Sequence, residues 1–146
     1  MLDLTLAIGH HLLVFALFGV LCAEFIAVRA GMTAATLARV AAADLSYGAM
    51  AGLIIVVGFS RAVFAAKGWL YYSHNAFFWA KIATFLAVGL LSVPPTIAFI
   101  RWRRAAQPPT DAQIAGVRRY LWAEVLLFLL LPVFAAAMAR GYGELV

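Results

Sequence analysis

Four long runs of apolar residues, separated by short polar connectors, occupy nearly the whole 146-residue chain. A helix that crosses the hydrocarbon core of a bilayer needs about 20 mainly apolar residues. The pattern therefore predicts an all-α fold, an integral membrane four-helix bundle that forms a single domain over residues 1–146. Its four transmembrane helices are predicted at residues 4–28, 44–66, 75–102 and 111–140.

Local signals bear on three of the helix starts. Thr110 follows two prolines and stands three residues before Gln113, which is the spacing of a capping box at the start of the fourth helix. The second helix has an alternative start at Thr33, which would add an interfacial extension before Asp44. We expect the first helix to be retained rather than cleaved as a signal, because Asp3 is the only charge before its apolar run.

The composition points to lipid as the solvent of this chain. Hydrophobic residues make up 66% of the sequence, charged residues only 12%, and the mean hydropathy is +1.00. So few charges are too few to cover the surface of a soluble domain. The net charge of +5 is spread over the connectors, and no basic domain indicates nucleic-acid binding. Cys22 is the only cysteine, which excludes an internal disulfide and a metal site with two thiolates.

The distribution of positive charge predicts the orientation in the membrane. The first and third connectors, with the helix ends beside them, hold seven arginines, namely Arg29, Arg39, Arg101, Arg103, Arg104, Arg118 and Arg119. The other side has three cations: Arg61, Lys67 and Arg140. Because cytoplasmic loops are enriched in Lys and Arg, we predict a multi-pass protein of the bacterial inner membrane with both termini in the periplasm.

A first group of polar residues is predicted in the outer half of the bilayer. At a rise of about 1.5 Å per residue, His10, His11 and Lys81 lie at one depth, with Arg61 slightly higher and His74 at the surface. Ionisable groups in a span are costly and are candidates for function. They could bind a cofactor or an anion. Alternatively, the histidines bond to backbone, the lysine snorkels and the nearby aromatics form an interfacial belt.

A second group of polar residues is predicted near the cytoplasmic side. Glu24, Asp44 and Glu124 each lie on a different helix. They could relay protons, but structural ion pairs with the nearby arginines Arg29, Arg118 and Arg119 are the favoured interpretation.

Small residues and prolines predict how the helices pack. Gly48 and Gly52 have the small-xxx-small spacing that allows close approach of a neighbouring helix, which favours a homo-oligomer or membership of a larger membrane complex. The pair Pro94–Pro95 predicts a bend in the third helix, and Pro132 predicts one in the fourth.

Two stretches carry a resemblance to a known family: FSRAVFAAKGWLYYSHNAFFWAK at 59–81 and GLLSVPPTIAFIRWRR at 89–104. With the pair His10–His11 and the motif DLSYG at 44–48, they resemble an uncharacterised bacterial family of four-helix inner-membrane proteins, a domain of unknown function. A more distant similarity, based on the first-helix histidine and Lys81, is to HemJ-type protoporphyrinogen oxidases and CopD membrane domains.

The distant resemblance implies a haem b-binding redox protein with its site in the outer leaflet. His10 or His11 would hold the haem iron, and Lys81 or His74 would be the second ligand or, with Arg61, would neutralise a propionate. The alternative hypothesis is a non-catalytic membrane accessory subunit or a small transporter with no cofactor. Catalysis itself is left open by the sequence.

Overall fold

The computed structural model describes residues 2–64, 68–105 and 108–145, and it confirms the all-α membrane fold. The helices are α1 (Leu2–Ala27), α2 (Ala34–Phe64), α3 (Gly68–Ser73), α4 (Ala76–Ala105), α5 (Asp111–Phe128) and α6 (Leu130–Ala139). Four stretches are long and apolar enough to cross a membrane: Asp3–Ala27, Ala34–Phe64, Ala76–Ala105 and Asp111–Ala139, the last formed by α5 and α6 together.

The outward faces of these helices are apolar, as a bilayer requires. Phe15, Leu45 and Leu90 are 72%, 76% and 73% exposed, and many other large apolar side chains are also turned outward. Contiguous apolar surface of this extent would be unfavourable in water. The described helices therefore present a lipid-facing surface around the bundle.

The four spans form a closed ring. α1 packs against α2 and α5, and α4 packs against α2, α5 and α6. The starts of α1 and α4 and the ends of α2 and α6 lie at one end of the bundle, which we call the terminal end. The opposite end, where 28–33 and the segment between α4 and α5 lie, we call the connector end.

The inward faces of the helices follow a repeat of alternating three- and four-residue steps, the spacing of helices packed in a bundle. In α1 the buried positions are Leu17, Leu21 and Glu24, followed by Val28 after the helix, and in α5 they are Val117, Leu121, Glu124 and Phe128. In α2 they include Val40, Tyr47 and Ile54, and in α4 Val88, Pro95 and Trp102, each set spaced by seven. Two glutamates thus occupy core positions.

The second helix begins at Ala34, so the predicted start at Asp44 is wrong and the alternative start at Thr33 is correct. The Thr33 hydroxyl accepts a hydrogen bond from the Thr36 N–H at 3.1 Å, which supplies an acceptor for a first-turn donor that has no helical partner. At 31 residues, α2 is about 46 Å long and exceeds the hydrocarbon core. Its predicted end at residue 66, like Lys67, lies outside the described residues.

The capping-box prediction is confirmed, whereas the bends predicted at Pro94–Pro95 and Pro132 stay predictions. The capping box between Thr110 and Gln113 is present. Leu129 separates α5 from α6 three residues before Pro132, whose missing N–H and ring disturb the preceding turn. In contrast, α4 continues as one helix through Pro94 and Pro95. The short helix α3 lies in a stretch that the sequence predicts only as a connector.

Asn75 ties the start of α4 to the C-terminal turn. Its side chain is fully buried, and its Oδ1 accepts from the N–H groups of Phe77 at 3.0 Å and Phe78 at 3.3 Å, which caps the helix. Its Nδ2 donates to the Tyr142 carbonyl at 3.0 Å. The Ala76 N–H also donates to the Gly143 carbonyl at 2.8 Å. This one side chain therefore satisfies groups on two distant segments.

Substitution of Gly143 should test how tightly this turn is packed. Gly143 has φ +82°, and a Cβ there would lie 2.5 Å from Cδ2 of Phe77. Gly141 has a similar φ of +80°, but the nearest atom to its Cβ would be Oε1 of Glu144 at 3.9 Å. Both alanine variants place a side chain at a positive φ, and only Gly143→Ala adds a clash. Gly143→Ala should therefore lower the stability by roughly 1–3 kcal/mol more than Gly141→Ala.

Thermal or denaturant unfolding of the two variants in the same detergent measures this difference. Equal loss of stability in both would mean that the clash with Phe77 is relieved and that the turn is not fixed against α4.

Candidate functional site

The polar residues on the inward faces fall into two clusters. Near the connector end lies a group that we call the acid cluster: Glu24, Asp44, Tyr47 and Glu124. Nearer the terminal end lies a group that we call the cation cluster: His10, Arg61 and Lys81. Each cluster draws its members from three helices, so only the assembled bundle brings them together.

In the acid cluster, two carboxyl groups are buried without full hydrogen bonding. Glu24 is 3% exposed and Glu124 is 1% exposed, and the Oε1 atom of each has no hydrogen-bond partner. The Tyr47 hydroxyl and the Glu124 carboxyl are hydrogen-bonded to each other. Glu24 and Glu124 both lie close enough to Asp44 to interact with it electrostatically. The cluster is thus a compact group of acids.

Asp44 has a separate partner. The Thr96 hydroxyl of α4 donates to Oδ1 of Asp44 on α2 at 2.7 Å, which links two neighbouring spans. Thr96 was not among the predicted site residues. The signal that could have identified it is its place directly after Pro94–Pro95, because prolines free backbone groups and polar side chains often lie nearby in membrane helices.

The predicted ion pairs are wrong for the part of the chain that the structure describes. None of its Lys, Arg or His side chains pairs with Glu24, Asp44 or Glu124. Arg118 instead donates through Nη1 to the carbonyls of Phe25 at 3.0 Å and Val28 at 2.5 Å. The last carbonyls of a helix have no partner within it, so a long cationic donor is drawn to them.

This arrangement suits the acid cluster to holding protons. A carboxylate in a medium of low dielectric constant, without a cation beside it, carries a large desolvation penalty. A protonated carboxyl avoids that penalty and can donate a hydrogen bond as well as accept one. Each carboxyl group therefore holds a proton at lower cost than a charge, and the Tyr47 hydroxyl is hydrogen-bonded to that of Glu124.

In the cation cluster, two basic side chains have buried nitrogens without partners. Nδ1 of His10 and Nε of Arg61 are both buried and make no hydrogen bond. Lys81 and Arg61 lie close enough to His10 to act on it electrostatically, and Lys81 is similarly near Arg61. The Lys81 Nζ lies 5.7 Å from the centre of the Phe78 ring.

A glycine on the neighbouring helix allows His10 to take this position. A Cβ on Gly58 of α2 would lie 3.2 Å from Cε1 of His10, which is tighter than ordinary packing contacts. The imidazole therefore lies directly against the α2 backbone at this point. The absence of a side chain on Gly58 is what makes room for the ring.

Two of the predicted outer residues do not join the cluster. His11 is exposed, and its Nδ1 lies 2.6 Å from the Ala7 carbonyl of its own helix. His74 is exposed, and its Nδ1 lies 3.0 Å from the Leu70 carbonyl. The structure thus distinguishes His10 from His11, which the sequence does not. Within the described ranges, no group of three or more His, Cys, Asp or Glu side chains is arranged to hold a metal ion.

An apolar section separates the two clusters. His10 and Glu24 on α1 are fourteen residues apart, as are Tyr47 and Arg61 on α2, which corresponds to about 21 Å along the helices. Between these levels, the inward positions are apolar and buried: Leu17, Leu21, Ile54 and Val88 are at most 5% exposed. The interior is therefore polar at two levels and apolar between them.

The role of Arg118 can be tested against its neighbour in sequence. Its guanidinium bonds two carbonyls near the end of α1 and lies 4.5 Å from the centre of the Phe25 ring, whereas Arg119 is exposed. Loss of these charge-assisted bonds should make Arg118→Gln roughly 1.5–3 kcal/mol less stable than wild type. Arg119→Gln should differ from wild type by less than about 0.5 kcal/mol.

Unfolding of both variants in one detergent gives the comparison. If Arg118→Gln unfolds like Arg119→Gln, the contacts with α1 contribute nothing measurable, and Arg118 would then be available to the acids.

Sequence comparison assigns the chain to a family. No curated protein and no solved structure gives a significant match to it. The family model described as "Predicted membrane protein (DUF2214)" matches residues 2–143. This match agrees with the resemblance to an uncharacterised membrane family, whereas the similarity to HemJ-type and CopD proteins stays a prediction. The chain is therefore a member of the DUF2214 family of predicted membrane proteins.

Proposed function

We propose that this protein is a small proton-coupled membrane carrier whose proton-binding site is the acid cluster. The observation that carries the proposal is the state of Glu24 and Glu124. Both occupy core positions of the helical repeat, both have an unpartnered oxygen, and neither is paired with a cation among the described residues.

Stability alone does not account for these two acids. Well-packed apolar residues at buried charged positions are often neutral or stabilising, so a leucine would serve the core at least as well as Glu24. Ionisable residues inside a span commonly mark pathways of ions or protons. An acid that lacks a fixed counter-charge can gain and release a proton without breaking an ion pair, which is what a carrier needs.

The apolar section favours a carrier over an open pore. Side chains such as Leu17, Leu21 and Ile54 fill the interior between the two clusters. Movement of a solute past them would require the helices to repack. Pro132, just after the boundary between α5 and α6 at Leu129, lacks the N–H of a regular helix, which makes this the point of the fourth span where bending costs least.

The proposal also covers the membrane in which the protein lies, its orientation and its oligomeric state. The excess of arginines at the connector end supports a bacterial inner-membrane protein whose termini face the periplasm. A homo-oligomer through the α2 face with Gly48 and Gly52 is supported by their surroundings, since nothing lies within 4 Å of a Cβ built at either. These glycines do not serve contacts within the bundle and leave room for a helix of a second copy.

Proton uptake should depend on both glutamates. In proteoliposomes loaded with a pH-sensitive dye and given an inward proton gradient, Glu24→Gln and Glu124→Gln should lower the protein-dependent rate by on the order of 10²-fold. Glutamine keeps the size and the hydrogen-bonding capacity of the acid but cannot carry the proton. The variants should retain wild-type thermal stability, because no ion pair is lost.

Glu144→Gln is the matched control, since Glu144 is an exposed carboxylate at the terminal end. It should leave the rate unchanged. A wild-type rate in both buried variants, with the protein folded, would overturn the acid cluster as the proton site. Infrared difference spectra, in which a protonated carboxyl band disappears on each substitution, give a second measurement that does not depend on transport.

The second candidate function is haem b binding, as the resemblance to HemJ-type proteins implies. The supporting observation is His10, which is held against α2 with a nitrogen that has no partner. His10 would hold the iron, and Lys81 or Arg61 would meet a propionate. His74 is less suited to either role, because it is exposed and bonded to its own helix. When bound, haem would supply one-electron redox chemistry.

An absorption spectrum decides this candidate. Protein purified from cells supplied with haem precursor should show a Soret band that shifts on reduction with dithionite. His10→Ala should abolish the band, and His11→Ala should leave it in place. Wild-type protein without a Soret band would exclude haem b as its cofactor.

A further inference from the structure

We propose that the cation cluster, His10, Arg61 and Lys81, is a binding site for an oxyanion, a phosphate or a carboxylate group. The site lies between α1, α2 and α4, in the terminal half of the bundle. It is independent of the acid cluster, and it would hold whether or not protons are transported.

The electrostatics of the cluster call for an anion. Three basic side chains from three helices lie near one another, and no described carboxylate is paired with any of them. Like charges grouped in a region of low dielectric constant repel one another and lose their hydration. A bound oxyanion would reverse both effects, because it supplies negative charge and several strong acceptors in one place.

The unsatisfied nitrogens indicate where the polar atoms of a ligand belong. Nε of Arg61 and Nδ1 of His10 are buried and have no hydrogen-bond partner. Buried polar atoms are nearly always bonded, so two such atoms in one cluster point to a missing partner. Arg61 offers a planar set of donors suited to phosphate or carboxylate oxygens, and the Lys81 ammonium adds a further cation.

Snorkelling explains only one of the three residues. Lys81 can extend along α4 towards the terminal end, where its Nζ lies near the Phe78 ring. Snorkelling of Lys81 leaves Nε of Arg61 and Nδ1 of His10 without hydrogen-bond partners. The ring of His10 packs against Gly58 of α2, and its Nδ1 has no partner in that position.

Two sources could supply the oxyanion: a soluble ion, or the phosphate of an anionic lipid headgroup. In the first arm, detergent-purified protein is titrated with inorganic phosphate at constant ionic strength, with chloride as the reference salt. Binding should raise the unfolding temperature as the phosphate concentration rises. In the second arm, unfolding is compared in nanodiscs of phosphatidylglycerol and of phosphatidylcholine.

Each variant in the test has a neutral amide in place of a basic side chain. Arg61→Gln, Lys81→Gln and His10→Gln should each weaken binding by on the order of tenfold or more. His11→Gln and Arg140→Gln are the controls, because His11 is adjacent in sequence and exposed, and Arg140 is an exposed cation at the same end. Should one variant fail to fold, the other two still test the site.

Stabilisation by phosphate that is lost in the three variants supports a soluble oxyanion. Stabilisation by phosphatidylglycerol alone, lost in the same variants, supports a lipid headgroup. The proposal is overturned if neither ligand stabilises the wild type, if the variants bind as well as the controls, or if His10 ligates haem iron in the spectrum described above. Because binding is measured at equilibrium, failure here is separate from failure of proton transport.

Discussion

The hydrocarbon core of a bilayer offers no water to satisfy polar groups, and this constraint governs the rest of the structure. Inside a bilayer, each buried polar atom must find its partner on a neighbouring helix or on a bound ligand. The inward faces meet this requirement over most of their length by being apolar, as at Leu17, Leu21 and Leu121. The described buried polar groups lie at two levels within the bundle and near the helix ends, and each needs its own explanation.

Several of these polar groups are satisfied in ways that also fix the positions of the helices. Thr96 bonds Asp44 between α4 and α2, and Arg118 of α5 bonds carbonyls near the end of α1. Asn75 holds the C-terminal turn against α4. These contacts join segments far apart in sequence, and each uses a donor and an acceptor that would otherwise be unpaired.

The groups that are not satisfied are where chemistry is expected. Glu24 and Glu124 each have one oxygen without a partner at one level, and His10 and Arg61 each have one such nitrogen at the other. One level is acidic and the other basic, and they lie about 21 Å apart along the helices.

The sequence by itself determined the features that depend on neighbouring residues. Apolar runs long enough to span a bilayer specified four helices, and short-range spacing specified the capping box at Thr110. These hold because hydropathy and capping act within one segment. Only the tertiary structure decided that Arg118 bonds backbone rather than an acid, that His10 and not His11 faces the interior, and that Asn75 binds the C-terminal turn. Such choices depend on which faces of different helices meet, and sequence distance along one chain does not contain that information.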